Sequence, residues 1–152
     1  IPVFGSGDCV EPGQVVTRLE QSGVAGVLIG RGALRNPWIF SQSAAAIRGL
    51  TPEPASLEER GRFLLEYIDL LLQEGVDETT GFRHAAPGTT PSGPPKAGRS
   101  RQRWVVHKLR ALGSWYTKGL DGGAQLRVAI NSAKSIPELR DLLASFFLLQ
   151  RV

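Results

Sequence analysis

The chain opens on a short apolar segment, Ile1 to Phe4, that runs into Gly5-Ser6-Gly7-Asp8. That pattern predicts a strand ending in a tight turn. Val15, Val16 and Leu19 follow at helical spacing behind Glu11-Pro12, and Ser22-Gly23 closes the helix they predict. Val24 to Ile29 is a continuous apolar run, the pattern of a strand buried on both faces, and it ends in Gly30-Arg31-Gly32. A further helix is expected from about Pro37 to Arg48. Strand, glycine turn and helix, twice over, is the order of a parallel α/β fold.

Beyond Gly49 the period changes, and no further strand is expected. Ser56-Leu57-Glu58-Glu59 has the form of a capping box. The helix it opens carries Leu57, Gly61, Leu64, Leu65, Ile68, Leu71 and Leu72 on one face and stops near Glu74-Gly75. Ala85 to Gly98 holds four prolines and three glycines in 14 residues and reads as a flexible linker. A helix from about Arg101 to Lys118 has Val105, Leu109, Leu112 and Tyr116 spaced for burial. Another spans Ala124 to Ser132 after Gly122-Gly123. Ser135-Ile136-Pro137-Glu138, a second capping box, starts the last one, through Leu142, Leu143, Phe146 and Phe147. The expected fold class is therefore α/β over residues 1–50, then all-α over 51–152, a small helical bundle with its Pro/Gly-rich linker at about 85–98.

Composition narrows the classes. With 152 residues, 41% hydrophobic and 21% charged, the chain is globular, one domain or two small ones. No run of 18 apolar residues offers a transmembrane helix. The first residues lack the basic start and apolar core of a signal peptide. The single cysteine excludes an internal disulfide and makes a reducing compartment the default. The chain contains no methionine and begins Ile-Pro, so it is read as the tail of a longer protein. Its charges are segregated. Eight of the 14 acids lie between Glu53 and Glu78, and none lies between Thr79 and Leu120. That acid-free stretch holds Arg83, Lys96, Arg99, Arg101, Arg103, Lys108, Arg110 and Lys118, with both histidines.

Three groups of residues are candidates for chemistry. The two glycine turns each follow a strand and precede a helix, where backbone N–H groups and the helix dipole bind phosphate. Glycine lets the backbone approach the anion. In a (β/α)8 barrel the loops after the seventh and eighth strands share such a site. Ordinary turns have the same composition. Arg31 is read equally as a phosphate partner or a solvated residue, and Asp8 as a turn acceptor. Cys9, with no histidine near it in sequence, is read as buried and structural rather than nucleophilic. The histidines have no metal-ligand spacing, so no metal site is expected. On the basic helix, Arg103, His107 and Arg110 form one stripe at i, i+4 and i+7, with Arg101 and Lys108 beside it and Trp104, Trp115 and Tyr116 interleaved. That is the footprint of nucleic-acid contact. The bland alternatives are a solvated face, or pairing with the acids of residues 53–78.

Ile1-Pro2-Val3-Phe4-Gly5-Ser6-Gly7-Asp8, together with Ile29-Gly30-Arg31-Gly32-Ala33 and Asn36-Pro37-Trp38, resembles the last two strand–loop units of the tRNA-dihydrouridine synthase family. Trp115-Tyr116-Thr117-Lys118-Gly119-Leu120, with Leu126-Arg127 and Ile130-Asn131, is similar to that family's C-terminal helical domain. The resemblance implies the C-terminal remnant of a (β/α)8 TIM barrel followed by a tRNA-binding helical domain. It implies a flavin, FMN, reduced by NADPH and delivering hydride to a tRNA uridine, with a catalytic cysteine upstream of this chain. It implies that Ser6, Gly7, Asp8, Gly30 and Arg31 hold the FMN phosphate, and that Arg101, Arg103, Lys108, Arg110 and Lys118 face tRNA. The implied enzyme is cytoplasmic, monomeric, and without metal or membrane. The sequence departs from the family at Ser6, where Asn is usual, at Leu112-Gly113, where a basic residue often precedes Trp-Tyr, and in the Pro/Gly insertion. Cys9 does not match the catalytic position. A stand-alone basic RNA-binding module, and the end of another phosphate-binding barrel, are the competing readings.

Overall fold

The computed structural model describes residues 1–74 and 101–149, with the backbone of 76–77 and 83–84. The chain divides into two compact units, Ile1–Ser56 and Leu57–Val152.

In the first unit, β1 (Phe4–Ser6) and β2 (Gly26–Leu28) pair in parallel, with Phe4 opposite Gly26 and Ser6 opposite Leu28. Parallel strands need a crossover, and α1 (Pro12–Ser22) supplies it. Proline suits its first turn, because φ is already helical there and no N–H is wanted. Gln14 Oε1 accepts the N–H groups of Val10 and Glu11 at 2.7 and 3.1 Å. Gly23, at φ +62°, ends the helix in the left-handed region that glycine enters freely. A short α2 (Arg31–Arg35) and α3 (Ile39–Ile47) follow. Asn36 makes the corner between them. Its backbone N–H donates to the Gly32 carbonyl at 2.9 Å, and its amide donates to Gln42 Oε1 at 2.7 Å. Gln42 in turn donates to the Glu53 carbonyl at 2.8 Å, pinning the end of the unit. Helices α1 and α3 pack together, and Cys9, Val15 and Ile39 form the small core.

Four expectations are corrected here. The first strand is Phe4–Ser6 rather than Ile1 to Phe4, so the glycine turn begins at Gly7. The second covers only Gly26–Leu28, and neither strand is buried on both faces: Phe4 is 60% and Leu28 58% exposed. A pair only two strands wide leaves apolar positions that a broader sheet would cover. Gly30-Arg31-Gly32 is not a simple turn, since Arg31 begins α2. The helix expected from Pro37 starts at Ile39.

The second unit is built on α4 (Leu57–Gln73), α5 (Arg101–Tyr116), α6 (Gly123–Ser132) and α7 (Ile136–Phe147). Their core includes Leu64 and Ile68 of α4, Val105 and Leu109 of α5, Ile130 of α6, and Leu139 and Leu143 of α7. Gly61 lies directly under Phe147, so α4 and α7 approach closely there. Only half of the box expected at Ser135 is formed: its hydroxyl accepts the Glu138 N–H at 3.3 Å, whereas Glu138 Oε2 accepts the Lys134 N–H at 2.8 Å rather than that of Ser135. On α5 the buried face takes Gly113 where Leu112 was expected, and Leu112 is half-buried. A Cβ at residue 113 would stand 3.3 Å from Ile130 Cδ1, so the small residue lets α6 come close. Two two-residue strands were not anticipated after Gly49: β3 (Val76–Asp77) pairs antiparallel with β4 (Arg83–His84). Strands so short leave no alternation to read. The linker expected at 85–98 lies outside the described residues.

Candidate functional site

Both glycine loops leave the carboxyl ends of parallel strands, where α/β sheets place their ligands. Ser6 is the exposed last residue of β1, with Gly7 and Asp8 following; Gly30 is the residue before α2, and Arg31 its first. The fold brings the two loops together. Arg31 Nη2 donates to Asp8 Oδ1 at 2.5 Å, with side chains 75% and 72% exposed. So exposed a pair contributes little to stability; what it does is orient both groups. Arg18 covers Gly7: a Cβ there would fall 2.8–2.9 Å from the guanidinium. Gly30 faces open space, with no atom within 4 Å of where a Cβ would be. Arg18 thus stands over the first loop, the Asp8–Arg31 pair joins the first loop to the second, and the backbone of the second is open at Gly30. Arg18 was not among the sequence candidates. Its signal was a long basic side chain on the helix after the loop, leaning back toward the helix start as helical side chains do. Cys9 is 1% exposed, in the core and away from solvent.

The basic residues of the second unit fall into separate groups. Arg103, His107 and Arg110 share one face of α5, directed at the joint between α6 and α7, where Arg110 Nη2 donates to the Ala133 carbonyl at 2.9 Å. Arg101 does not lie beside them. Its Nη1 donates to the Leu72 carbonyl at 3.0 Å and to that of Glu74, so it closes the C-terminal end of α4. The separation follows from helix geometry: at about 100° per residue, positions 101 and 108 point well away from 103, 107 and 110. Lys108 sits over the Trp104 ring at 5.5 Å from its centroid. Lys118 is exposed in the loop after α5.

That loop is built with care. Thr117 is fully buried, and its hydroxyl donates to the Gly113 carbonyl at 2.6 Å. Arg127 Nη1 donates to the Thr117 hydroxyl and carbonyl at 3.1 and 3.3 Å. Gly119 and Gly122 take φ of +78° and +68°. Tyr116 stacks on Phe63 at 5.5 Å, and Phe63 on Tyr67 at 6.0 Å. Burial pushes the Tyr116 hydroxyl well above the usual tyrosine range, with Tyr67 adding to the rise and Arg60 opposing it. Burial, then Glu74, also raises Tyr67. Among the described residues, no three His, Cys, Asp or Glu side chains gather as metal ligands would, and no helix is long and apolar enough to cross a membrane.

The family model described as dihydrouridine synthase (Dus) matches residues 1–90. A probable tRNA-dihydrouridine synthase from Mycobacterium tuberculosis is 30% identical over 144 residues, covering 94% of this chain and 31% of that protein. One from Rickettsia typhi is 24% identical over 149 residues, covering 97% and 38%. A tRNA-dihydrouridine(47) synthase from Coprinopsis cinerea, whose name includes NAD(P)(+), is 35% identical over 81 residues, covering 53% and 11%. The chain spans about a third of the length of the bacterial relatives it matches from end to end.

Proposed function

The chain belongs to the dihydrouridine synthase family, and from that premise we propose that it supplies two parts of a tRNA-dihydrouridine synthase. One is the phosphate-binding corner of a flavin-dependent (β/α)8 barrel. The other is a helical unit that holds tRNA. The observation that carries this reading is the Asp8–Arg31 pair, which joins two strand-end loops at one place. The last two loops of such a barrel share a phosphate site in that way.

The residues present fit the phosphate end of FMN. Ser6, Gly7, Asp8, Gly30 and Arg31 would hold it, with Arg18 beside them: the open backbone at Gly30 admits an anion, and the Arg18 guanidinium lies over Gly7. Bound there, the flavin supplies a hydride carrier between NADPH and the uracil ring of a tRNA uridine. This chain's residues anchor and orient. Asp8 keeps Arg31 turned to the corner, and Gly7 admits Arg18. Buried Cys9 is not the proton donor of this reaction. A monomeric enzyme working in the cytoplasm completes the reading.

The test is binding of unmodified tRNA to the 152-residue chain, followed by fluorescence anisotropy between about 50 and 200 mM salt. Affinity should fall steeply with salt, and Arg103→Glu with Lys118→Glu should weaken binding and flatten the slope. No salt-dependent binding of tRNA, by a chain shown to be folded, overturns the assignment of the helical unit.

A further inference from the structure

Helix α5 and the joint between α6 and α7 line a half-open cavity of about 320 Å³. Its walls are Arg103, Val106, His107 and Arg110 from α5, and Ala133 and Lys134 from the joint. Three of these side chains are cationic, one is an imidazole and none is acidic. Arg110 is satisfied at one end only. Nη2 donates to the Ala133 carbonyl, whereas Nε is buried with no hydrogen-bond partner. A buried donor on a charged group without an acceptor is costly, so the protein satisfies this guanidinium only in part. The acid beside the joint is already engaged: Glu138 Oε2 accepts the Lys134 backbone N–H at 2.8 Å. With Ser135 taking the Glu138 N–H, the first turn of α7 is capped by its own residues. The charged side chains that line the pocket itself are all cations.

We infer that this cavity is a discrete site for one phosphodiester group of an RNA backbone, held by Arg103, Arg110 and Lys134. The inference rests on the reading of the helical unit as tRNA-binding, and deepens it from a diffuse basic face to a fixed docking point. Guanidinium groups match two phosphate oxygens at once, and the lysine adds a point charge. The volume stands at the lower end for small-molecule pockets, suited to a single group rather than a whole nucleotide chain. A phosphate held there sets the register of the RNA without reading its sequence. Lys134 lies outside the acid-free stretch and joins the arginines only through the fold.

The test titrates the 152-residue chain with inorganic phosphate against chloride at equal ionic strength, followed by amide NMR. Saturable shifts confined to residues 103–110 and 133–135 are expected. Exposed Lys134→Ala should weaken phosphate about tenfold while leaving the rest of the spectrum in place. Transfer RNA should displace the phosphate, and Lys134→Ala should lower its log–log salt slope by about 0.7–0.9. Shifts that never saturate, or that spread over every basic residue, overturn the site, even where tRNA still binds in a salt-dependent way. Saturation by phosphate that tRNA does not reverse overturns the RNA assignment, and leaves a site for free anions.

Discussion

Gly32 lies against the backbone of Cys9 so closely that a Cβ at position 32 would fall inside the van der Waals shell of the Cys9 carbonyl oxygen. This contact and the Asp8–Arg31 pair are neighbours in sequence on both sides, so one joint locks the two loops together. Glycine at 32 serves packing, not turning, because its φ is not positive. Gly32→Ala should cost about 1–3 kcal/mol, the usual penalty of overpacking against backbone that cannot give. Gly13 provides the contrast. It sits in the first turn of α1 with nothing within 4 Å, so Gly13→Ala should stabilise by about 0.5–1 kcal/mol. Urea denaturation of both variants beside the parent checks the pair. Equal effects of the same sign would mean that the Cys9 contact does not hold the loops.

The two-stranded sheet bears on solution behaviour. Phe4 lays its ring over Gly26, its partner across the ladder, yet stays 60% exposed, and Leu28 is 58% exposed. Short parallel strands with open apolar faces and unpaired edges template pairing with other chains. The 152-residue chain should therefore self-associate as concentration rises, and Leu28→Lys should reduce that association. Sedimentation velocity over a concentration series checks it; a sharp, unchanging monomer boundary for the parent would refute it.

Tyr116 and Tyr67 give a pH dependence with a definite sign. Both hydroxyls are raised in the folded chain, Tyr116 the more, chiefly by burial. The unfolded chain then loses these protons first, near pH 10. Above that pH the unfolded state binds fewer protons than the native one, so stability falls as pH rises and continues to fall until the folded hydroxyls ionise. Below about pH 9 the two tyrosines should contribute no slope. Denaturation midpoints between pH 8 and 11 (roughly the range spanning an ordinary tyrosine) should show a plateau and then a decline. Tyr116→Phe should reduce the decline, and an undiminished one would place its cause elsewhere.

What could be read from the sequence was periodicity. The apolar face of α4 declared itself because Gly61, Leu64, Ile68 and Leu71 repeat at the helical period over several turns. The cap at Ser135 and the stop at Gly23 are local chemistry and were equally legible. Strand limits were not, because β1 is bounded by where Gly26 to Leu28 pair with it, a partnership that apolar residues do not announce. The site divided in the same way. Asp8 and Arg31 are legible as candidates, but their pairing, like the Gly32–Cys9 contact beside it, is tertiary and has no signal in the spacing. Arg101 was grouped with Lys108 by spacing, yet the chain turns it onto the last carbonyls of α4. Arg18 and Lys134 join their corners through tertiary contacts that no spacing encodes.

The loop after α5 separates contact from positioning. Lys118 is exposed and, on the reading above, meets the RNA backbone directly. Arg127 is half-buried and holds the loop by the Thr117 hydroxyl and carbonyl. Behind Thr117, Gly123 lies against its carbonyl, and Gly119 and Gly122 supply left-handed turns that other residues enter at a cost. Lys118→Ala should thus weaken tRNA binding and lower the salt slope by about 0.7–0.9, with stability unchanged within about 0.5 kcal/mol. Arg127→Ala removes charge-assisted bonds to acceptors on the buried Thr117 and should cost about 1–3 kcal/mol of stability. It should also weaken tRNA, because the loop no longer presents Lys118. The double variant then discriminates. If Arg127 acts through Lys118, losing both should weaken tRNA little more than losing Lys118 alone. Additive losses in affinity would show that Arg127 meets the RNA itself, and that the Thr117 loop is not what places Lys118.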